Sequence, residues 1–477
     1  MFRIFGWAAV AAMISANGGT PWPSIEESHV IASGNGRFAS AARADARIDV
    51  AALLTAAHGA PAPICALASQ AVGNGNWGNW GAPVPPLRGL VPPGADADED
   101  TDDVGRGRGE HYSSADVQRL LDALGSDDAC VRQMSVNLLG HEDDDPAVVN
   151  GLTTRLRDAN VQMRQVAAIG LGLVEGESAV QPLVQALRDT SIAVRANSAW
   201  ALGRIEDGRA LQPLVGMLRD REEVVRSAAT IAVGQMDSVS AATALARVLR
   251  EDQSAAVRRS AAWGLGQLEA HEGVDALVSA LGNDKDARVR EMAAWALGNI
   301  EDSKATAALL NAARKDDADA VRETAVWAIA QIEDQSAVNA LGEIVTTDRS
   351  ARVRGTAAWA IGEVQDDDEG HAPPGLVKAL NDESEDVRLK AAWALGQIGD
   401  SNALPAIRDA MKREKSARIS KALIRALMKS GERSEATISE LLDSPDPAVR
   451  EAAVRALAGG GSHDPWPWPN PRPRPFP

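Results

Sequence analysis

"EMAAWALGNIED", residues 291–302, recurs downstream as "ETAVWAIAQIED" from Glu323, "GTAAWAIGEVQD" from Gly355 and "LKAAWALGQIGD" from Leu389. Each copy follows a Val-Arg pair, and the arginine of that pair is a ruler. It falls at Arg132, Arg195, Arg226, Arg258, Arg290, Arg322, Arg354, Arg388 and Arg450. Met163-Arg164 fills the first long gap and a degenerate Ile419-Ser420 fills the second. The steps run from 30 to 34 residues, mostly 32, and mark eleven units. A period of that length belongs to a stacked solenoid, in which each unit buries its apolar face only against its neighbours.

Two helical stretches fit inside each unit. The first is short, as in "SAVQPLVQALRD" or "GVDALVSALGND"; the second starts near the Val-Arg pair, as in "ARVREMAAWALGNIED". Asp or Ser precedes the second stretch as an N-cap, and Glu-Asp or Gly-Asp ends it. On a helical wheel Val289, Ala293, Ala296, Leu297 and Ile300 share one face, the expected core seam. Its alanines, with Gly203, Gly234, Gly266, Gly298, Gly362 and Gly396, allow close helix approach. An Asp stands six residues before the ruler arginine in eight consecutive units: Asp158, Asp189, Asp220, Asp252, Asp284, Asp316, Asp348 and Asp382. Carboxylate and guanidinium at that spacing can form charge-assisted hydrogen bonds within or between units. Pairs such as Asp284 and Arg290, Asp316 and Arg322, and Asp348 and Arg354 are therefore expected to form a structural ladder, because a residue repeated in every unit serves architecture before chemistry.

On "DARVREMAAWALGNIEDSKATAALL" and "EDVRLKAAWALGQIGDSNALPAI" the chain resembles the HEAT-repeat superfamily, in its short-repeat branch of phycobilisome-lyase type. The resemblance covers roughly residues 113–459. It implies an all-α, right-handed α-α superhelical solenoid of about eleven helix pairs, of armadillo-like class. It also implies that the helix carrying the Val-Arg pair lines the concave surface. Ankyrin repeats are excluded by the missing "TPLH" turn, and tetratricopeptide repeats by the missing Tyr and Phe packing positions.

The aromatic residues sharpen the question of function. Between Ser113 and Gly459 the only aromatics are Trp200, Trp263, Trp295, Trp327, Trp359 and Trp393, each five residues after its ruler arginine. Trp295 points away from the seam, and its i−4 and i+4 neighbours are Glu291 and Asn299. The stripe repeats as Arg259-Trp263-Gln267 and Glu323-Trp327-Gln331. Two readings stand: rings packed across the small residues of the next unit, or a contact row on the concave face centred on the unbroken run from Trp263 to Trp393. An indole can pack its body and still present an edge.

Catalytic precedents find little support in the residues. Within the resembling family, bilin lyases attach tetrapyrroles and deoxyhypusine hydroxylases hold a di-iron centre with four His-Glu pairs. This chain carries two, His141-Glu142 and His271-Glu272, about four units apart. No metal-ligand spacing, phosphate loop or nucleophile elbow is present, and no cofactor is expected. A non-catalytic scaffold for a protein or peptide partner is the leading reading; a cofactor-bearing lyase or hydroxylase is the alternative. The net charge of −17 and pI near 5.0 disfavour binding to nucleic acid.

Outside the array, residues 1–19 combine Arg3, an apolar run from Phe5 to Ile14 and small residues, the pattern of a signal peptide for export to the periplasm or exterior; a cytoplasmic adaptor is the alternative. No other segment is apolar enough to span a membrane. Residues 20–112 read as mostly irregular, with a helical hairpin suggested by "IDVAALLTAAHG" and "APICALASQAV", then a Gly/Pro-rich loop and an acidic linker. Cys65 and Cys130 can pair in an oxidising compartment. Residues 460–477 include "DPWPWPNPRPRPFP", where alternate prolines enforce an extended conformation and Trp466, Trp468, Arg472, Arg474 and Phe476 protrude, suited to docking a partner.

Overall fold

The computed structural model describes residues 50–59, 112–140, 145–236, 238–365, 370–432, 434–445 and 447–457. Residues 1–19, with the signal-peptide reading, and 460–477, with the Pro-rich tail, lie outside them. So do the second half of the suggested hairpin, the acidic linker and the His141-Glu142 pair. The chain divides into two compact units, Met1–Met236 and Asp237–Pro477.

The first unit holds α1 (Val50–Ala57) and four helix pairs: α2 (Ser114–Ala123) with α3 (Ala129–Leu139), α4 (Pro146–Arg155) with α5 (Val161–Val174), α6 (Val180–Ala186) with α7 (Ile192–Ile205), and α8 (Leu211–Met217) with α9 (Glu223–Gly234). The second holds seven pairs: α10 (Val239–Glu251) with α11 (Ala255–Gln267), α12 (Val274–Asn283) with α13 (Ala287–Ile300), α14 (Thr306–Lys315) with α15 (Asp319–Ile332), α16 (Val338–Thr347) with α17 (Ala351–Val364), α18 (Pro374–Ala379) with α19 (Glu385–Ile398), α20 (Leu404–Arg413) with α21 (Ala417–Lys429), and α22 (Glu435–Leu442) with α23 (Pro447–Leu457). These are the eleven pairs marked by the ruler, and no strand occurs among the described residues.

The Val-Arg pair divides the work of the second helix. The valine turns inward: Val194, Val225, Val257, Val289, Val321, Val353 and Val387 are fully buried. The first helices meet them with Leu183, Leu214, Leu245, Leu277, Leu309, Leu341 and Leu376, also fully buried. Val289, Ala293, Ala296, Leu297 and Ile300 are all buried, so the wheel seam is the core. In the second unit, successive second helices pack on each other more closely than successive first helices do.

The Glu-Asp ending is a two-part device. Glu301 sits in the left-handed region at φ 56°, and Asp302 then caps the turn leading into the next first helix by accepting from Lys304 N. Glu206-Asp207 and Glu333-Asp334 repeat it, and Gly399-Asp400 supplies the residue type that fits left-handed backbone without a Cβ clash. Glu333→Gly should therefore stabilise by up to about 1 kcal/mol, read from chemical denaturation. A loss would show that the glutamate side chain contributes more than its backbone strain costs.

α1 docks on α2 and α3 through Val50, Leu53 and Ala57. Asp128 fastens it: its carboxylate accepts from Gly59 N at 2.7 Å and lies 3.1 Å from His58 Nδ1, while also capping α3 through Cys130 N. The Gly59 N–H, His58 and the α3 amides outweigh burial and lower the Asp128 carboxyl to about 2. Cys130, buried in α3, carries a disulfide, and Cys65 lies outside the described residues.

In the degenerate unit Ser420 stands where the others have arginine, and it is buried with no guanidinium to reach the next unit. Amides of residues 417–457 should exchange with deuterium ahead of those of 255–398, because opening of a repeat stack starts where a neighbour interface is weakest. Equal protection of both segments would contradict this.

Candidate functional site

The arginine ladder accounts for most repeated charge. In the first unit Arg164 donates to Asp189 through Nε and Nη2 at 2.8 and 3.1 Å, and Arg195 to Asp220 at 2.9 and 3.1 Å. In the second, Arg258 holds Asp284, Arg290 holds Asp316, Arg322 holds Asp348 and Arg354 holds Asp382, each through Nε at 2.7 Å with a second bond from Nη2. Every carboxylate belongs to the following unit. The same guanidinium turns Nη1 back to the carbonyl of its own unit's Asp, as Arg290 does to Asp284 O at 2.9 Å. The carboxylate also caps the next helix, Asp316 Oδ1 accepting from Ala318 N at 2.9 Å. Each rung thus ties helix start, helix end and neighbour together. Arg388 extends the ladder to Glu414, which the Asp pattern does not reveal.

Burial raises the carboxyls of Asp189, Asp220, Asp284, Asp316, Asp382 and Glu414, but arginine and backbone hydrogen bonds outweigh it and leave all six below their ordinary values. A lowered folded-state value contributes stability above the unfolded carboxyl value, about 4, and that contribution is lost as pH falls through the folded values. Urea melts from pH 7 to pH 3 should show little change to about pH 5 and a steep loss below it. A profile that does not fall below pH 5 would refute the linkage.

The tryptophan row lies in the seams between second helices. A Cβ built on Gly298 would meet Trp327 Cζ3 at 2.8 Å and Ala328 Cα at 2.9 Å; Gly362 relates in the same way to Trp393 and Ala394, Gly266 to Trp295 and Ala296, and Gly172 to Trp200 and Ala201. These four indole edges therefore fill notches left by the glycine of the preceding unit, whereas the same position before Trp359 holds Ala330. Trp200, Trp327, Trp359 and Trp393 are at most 6% exposed. Trp327, where the sequence pattern centres a groove, is sealed. Trp263 and Trp295 alone of the six are half-buried and keep ring surface.

These two rings are one turn from Arg259 and Glu291, respectively, on α11 and α13. Arg259 is half-buried, its Nε is fully enclosed with no hydrogen-bond partner, and it forms no ion pair among the described residues. Glu291 is half-buried and likewise forms no hydrogen bond or ion pair there. Burial, then the Glu323 charge, holds the Glu291 carboxyl above its ordinary value; burial, then Arg288, holds the Arg259 guanidinium below its own. The nearby charges are otherwise engaged, Arg288 with Asp286 at 3.1 Å and Glu323 with Arg352. Of the remaining stripe residues Gln267 is exposed, and Asn299 and Gln331 are half-buried. The structure thus brings Arg259, Trp263, Glu291 and Trp295 together on adjacent second helices. His271, of the second His-Glu pair, sits in the turn before α12, exposed and 3.3 Å from Asp302.

Helix pairs stacked through inter-unit rungs define an α-solenoid of armadillo-like class. The profile of HEAT repeats matches residues 149–234, 180–265, 242–330, 306–371 and 373–458, and the chain belongs to the HEAT-repeat family. Among solved structures it is similar to importin beta, with a TM-score of 0.53, 16% identity, and coverage of 72% of this chain and 57% of that one. It also matches an engineered protein (TM-score 0.36, 22% identity, 73% and 98% covered) and YibA of E. coli (TM-score 0.40, 19% identity, 62% and 96% covered). No curated protein sequence matches. HEAT solenoids commonly serve as scaffolds for other proteins. Among the described residues no helix is long and apolar enough to cross a membrane.

Proposed function

We propose that this chain is a non-catalytic protein-interaction scaffold that receives a polypeptide on the second-helix face of its second unit. One contrast carries the reading. Along the ladder each arginine from Arg258 to Arg388 is matched to a carboxylate, whereas Arg259 and Glu291 are half-buried and unmatched beside the two tryptophans that keep surface. Half-buried charges without partners weaken a fold, so their presence suits groups that are completed by a second molecule. Aromatic and arginine side chains are also the residue types that dominate binding surfaces.

Export is part of the same proposal. The short basic start and apolar run of residues 1–19 support it, as does a cysteine pair suited to an oxidising compartment. The tail from Asp464, whose sequence sets Trp, Arg and Phe between prolines, is a second docking element for an envelope partner. N-terminal sequencing of the mature chain tests export: retention of Met1 would refute it.

The scaffold reading is tested with a photo-crosslinking residue at Gln267 or Asn299, against a control at exposed Lys304 before α14. A polypeptide captured from the face positions and lost in Trp263→Ala supports the reading. Equal capture at all three sites, or a purified protein carrying a visible chromophore or bound iron, overturns it.

A further inference from the structure

The unmatched charges lie on neighbouring helices, and their spacing specifies what can match both at once. Arg259 on α11 and Glu291 on α13 occupy the same slot of consecutive units, one residue after the ruler arginine. α11 and α13 approach closely: a Cβ on Gly266 would lie 2.9 Å from Ala296 Cα. Helices in contact have axes about 8–10 Å apart, so the two slots repeat at about that distance. Arg259 and Glu291 attract each other, but no ion pair or hydrogen bond links them, so both keep hydrogen-bonding capacity for a ligand. A ligand that brings a carboxylate for one and a cation for the other matches both.

Peptide conformations differ in how they meet that spacing. In a β-strand, side chains three apart point to opposite faces. In a polyproline-II helix three residues complete one turn, at about 3.1 Å each, so residues i and i+3 project from the same side about 9 Å apart. That matches the helix repeat. The conformation also needs no hydrogen bonds of its own, and its proline rings suit aromatic walls, which Trp263 and Trp295 provide one turn along the same helices.

We propose that Arg259, Trp263, Glu291 and Trp295 form a binding site for a polyproline-II peptide carrying an acidic and a basic residue three positions apart. The acidic side chain pairs with Arg259, the basic one pairs with Glu291, and the intervening prolines lie on the two indoles. This rests on the scaffold reading and specifies its ligand. The charges that face the site from neighbouring positions, Asp286, Arg288, Asp319, Glu323 and Arg352, shape its rim. Arg288 and Arg352 are taken up by Asp286 and Glu323 and do not compete for the peptide carboxylate.

The probe is the labelled peptide Ac-PPEPPRPP-NH2, with Ac-PPQPPQPP-NH2 as its neutral counterpart and Ac-PPRPPRPP-NH2 as a doubly basic one, titrated by fluorescence anisotropy against the full chain. The wild type should prefer the Glu/Arg peptide over the neutral one by about tenfold or more, the worth of a charge-assisted hydrogen bond. Arg259→Gln and Glu291→Gln should each erase most of that preference. Arg259→Glu should transfer it to the doubly basic peptide, because two carboxylates then line the site. The double variant R259E/E291R should regain the Glu/Arg peptide, since a polyproline-II helix can run in either direction. Circular dichroism checks that each variant is folded.

A wild type that does not distinguish the charged from the neutral peptide overturns the proposal, as does an R259E variant whose preference does not move. Either result beside Trp263-dependent crosslinking from Gln267 would leave the scaffold reading standing and remove this ligand alone. Loss of the crosslinking itself would remove the scaffold reading.

Discussion

Arg322→Met should lower stability by about 3–5 kcal/mol, because it leaves a carboxylate uncompensated in a largely buried site. The side chains of Arg322 and Asp348 are 3% and 8% exposed, and the guanidinium also closes on Asp316 O at 2.9 Å. Substituting both partners by apolar residues is often neutral in a buried pair. Here R322M/D348L should recover only part of the loss, since Asp348 also accepts from Ser350 N at 2.7 Å and that cap has no substitute. Arg388→Met should cost less, its side chain being 22% exposed. Denaturant melts of the four proteins decide the matter. A loss under about 1 kcal/mol for Arg322→Met would place the ladder with ordinary surface ion pairs.

Trp327→Ala should cost about 3–5 kcal/mol, the range for removing a large buried aromatic. The ring is 2% exposed and fills the notch at Gly298. Its Nε1 is buried without a hydrogen-bond partner, so Trp327→Phe should lose packing area and no hydrogen bond, and should cost about half as much. Trp295→Ala should cost less than Trp327→Ala, because its ring already touches solvent. If Trp295→Ala proves the more costly, the half-exposed ring is chiefly a packing element and the peptide site loses its wall.

The same pair of tryptophans shows how far a sequence can be read. Period, helix pairing, inward valine and the Asp-Arg repeat are all legible, because each depends on residue spacing along one chain segment. The receiver of each rung is not legible. Arg290 has an Asp six residues behind it, at Asp284, and another 26 ahead, at Asp316, and only packed units show that the first offers its carbonyl and the second its carboxylate. Glu414 escapes the pattern because it swaps Asp for a longer carboxylate with the same hydrogen bonds. The wheel gives Trp295 and Trp327 the same angle, yet one keeps surface and the other does not; that difference is set by side chains of adjacent units, which no single-helix projection contains. Arg259 and Glu291 were visible as polar neighbours of the row, but their lack of partners is a property of three-dimensional company. The docking of α1 through Asp128 was hidden for the same reason: the contact joins residues 69 and 70 positions apart.

The two contacts that set the spacing run in opposite directions along the chain. The guanidiniums of Arg164, Arg195, Arg258, Arg290, Arg322, Arg354 and Arg388 reach forward to the next copy's carboxylate, and the indoles of Trp200, Trp295, Trp327 and Trp393 reach back to the previous copy's glycine. A recombination that adds or removes one whole copy, wherever within the copy the break falls, rebuilds one forward and one backward contact at the joint. A break shifted by a single residue turns the following helix by about 100° and moves guanidinium and indole off both partners. An array built this way can therefore gain or lose whole copies with little other change. The places that resist such exchange are those where one partner is replaced: Asn137, Ile169, Ile231, Arg425 and Arg455 in the tryptophan slot, Ala330, Met428 and Ala458 in the glycine slot and Ser420 in the arginine slot. The run between Arg258 and Glu301, which holds the unmatched charges, contains none of these replacements.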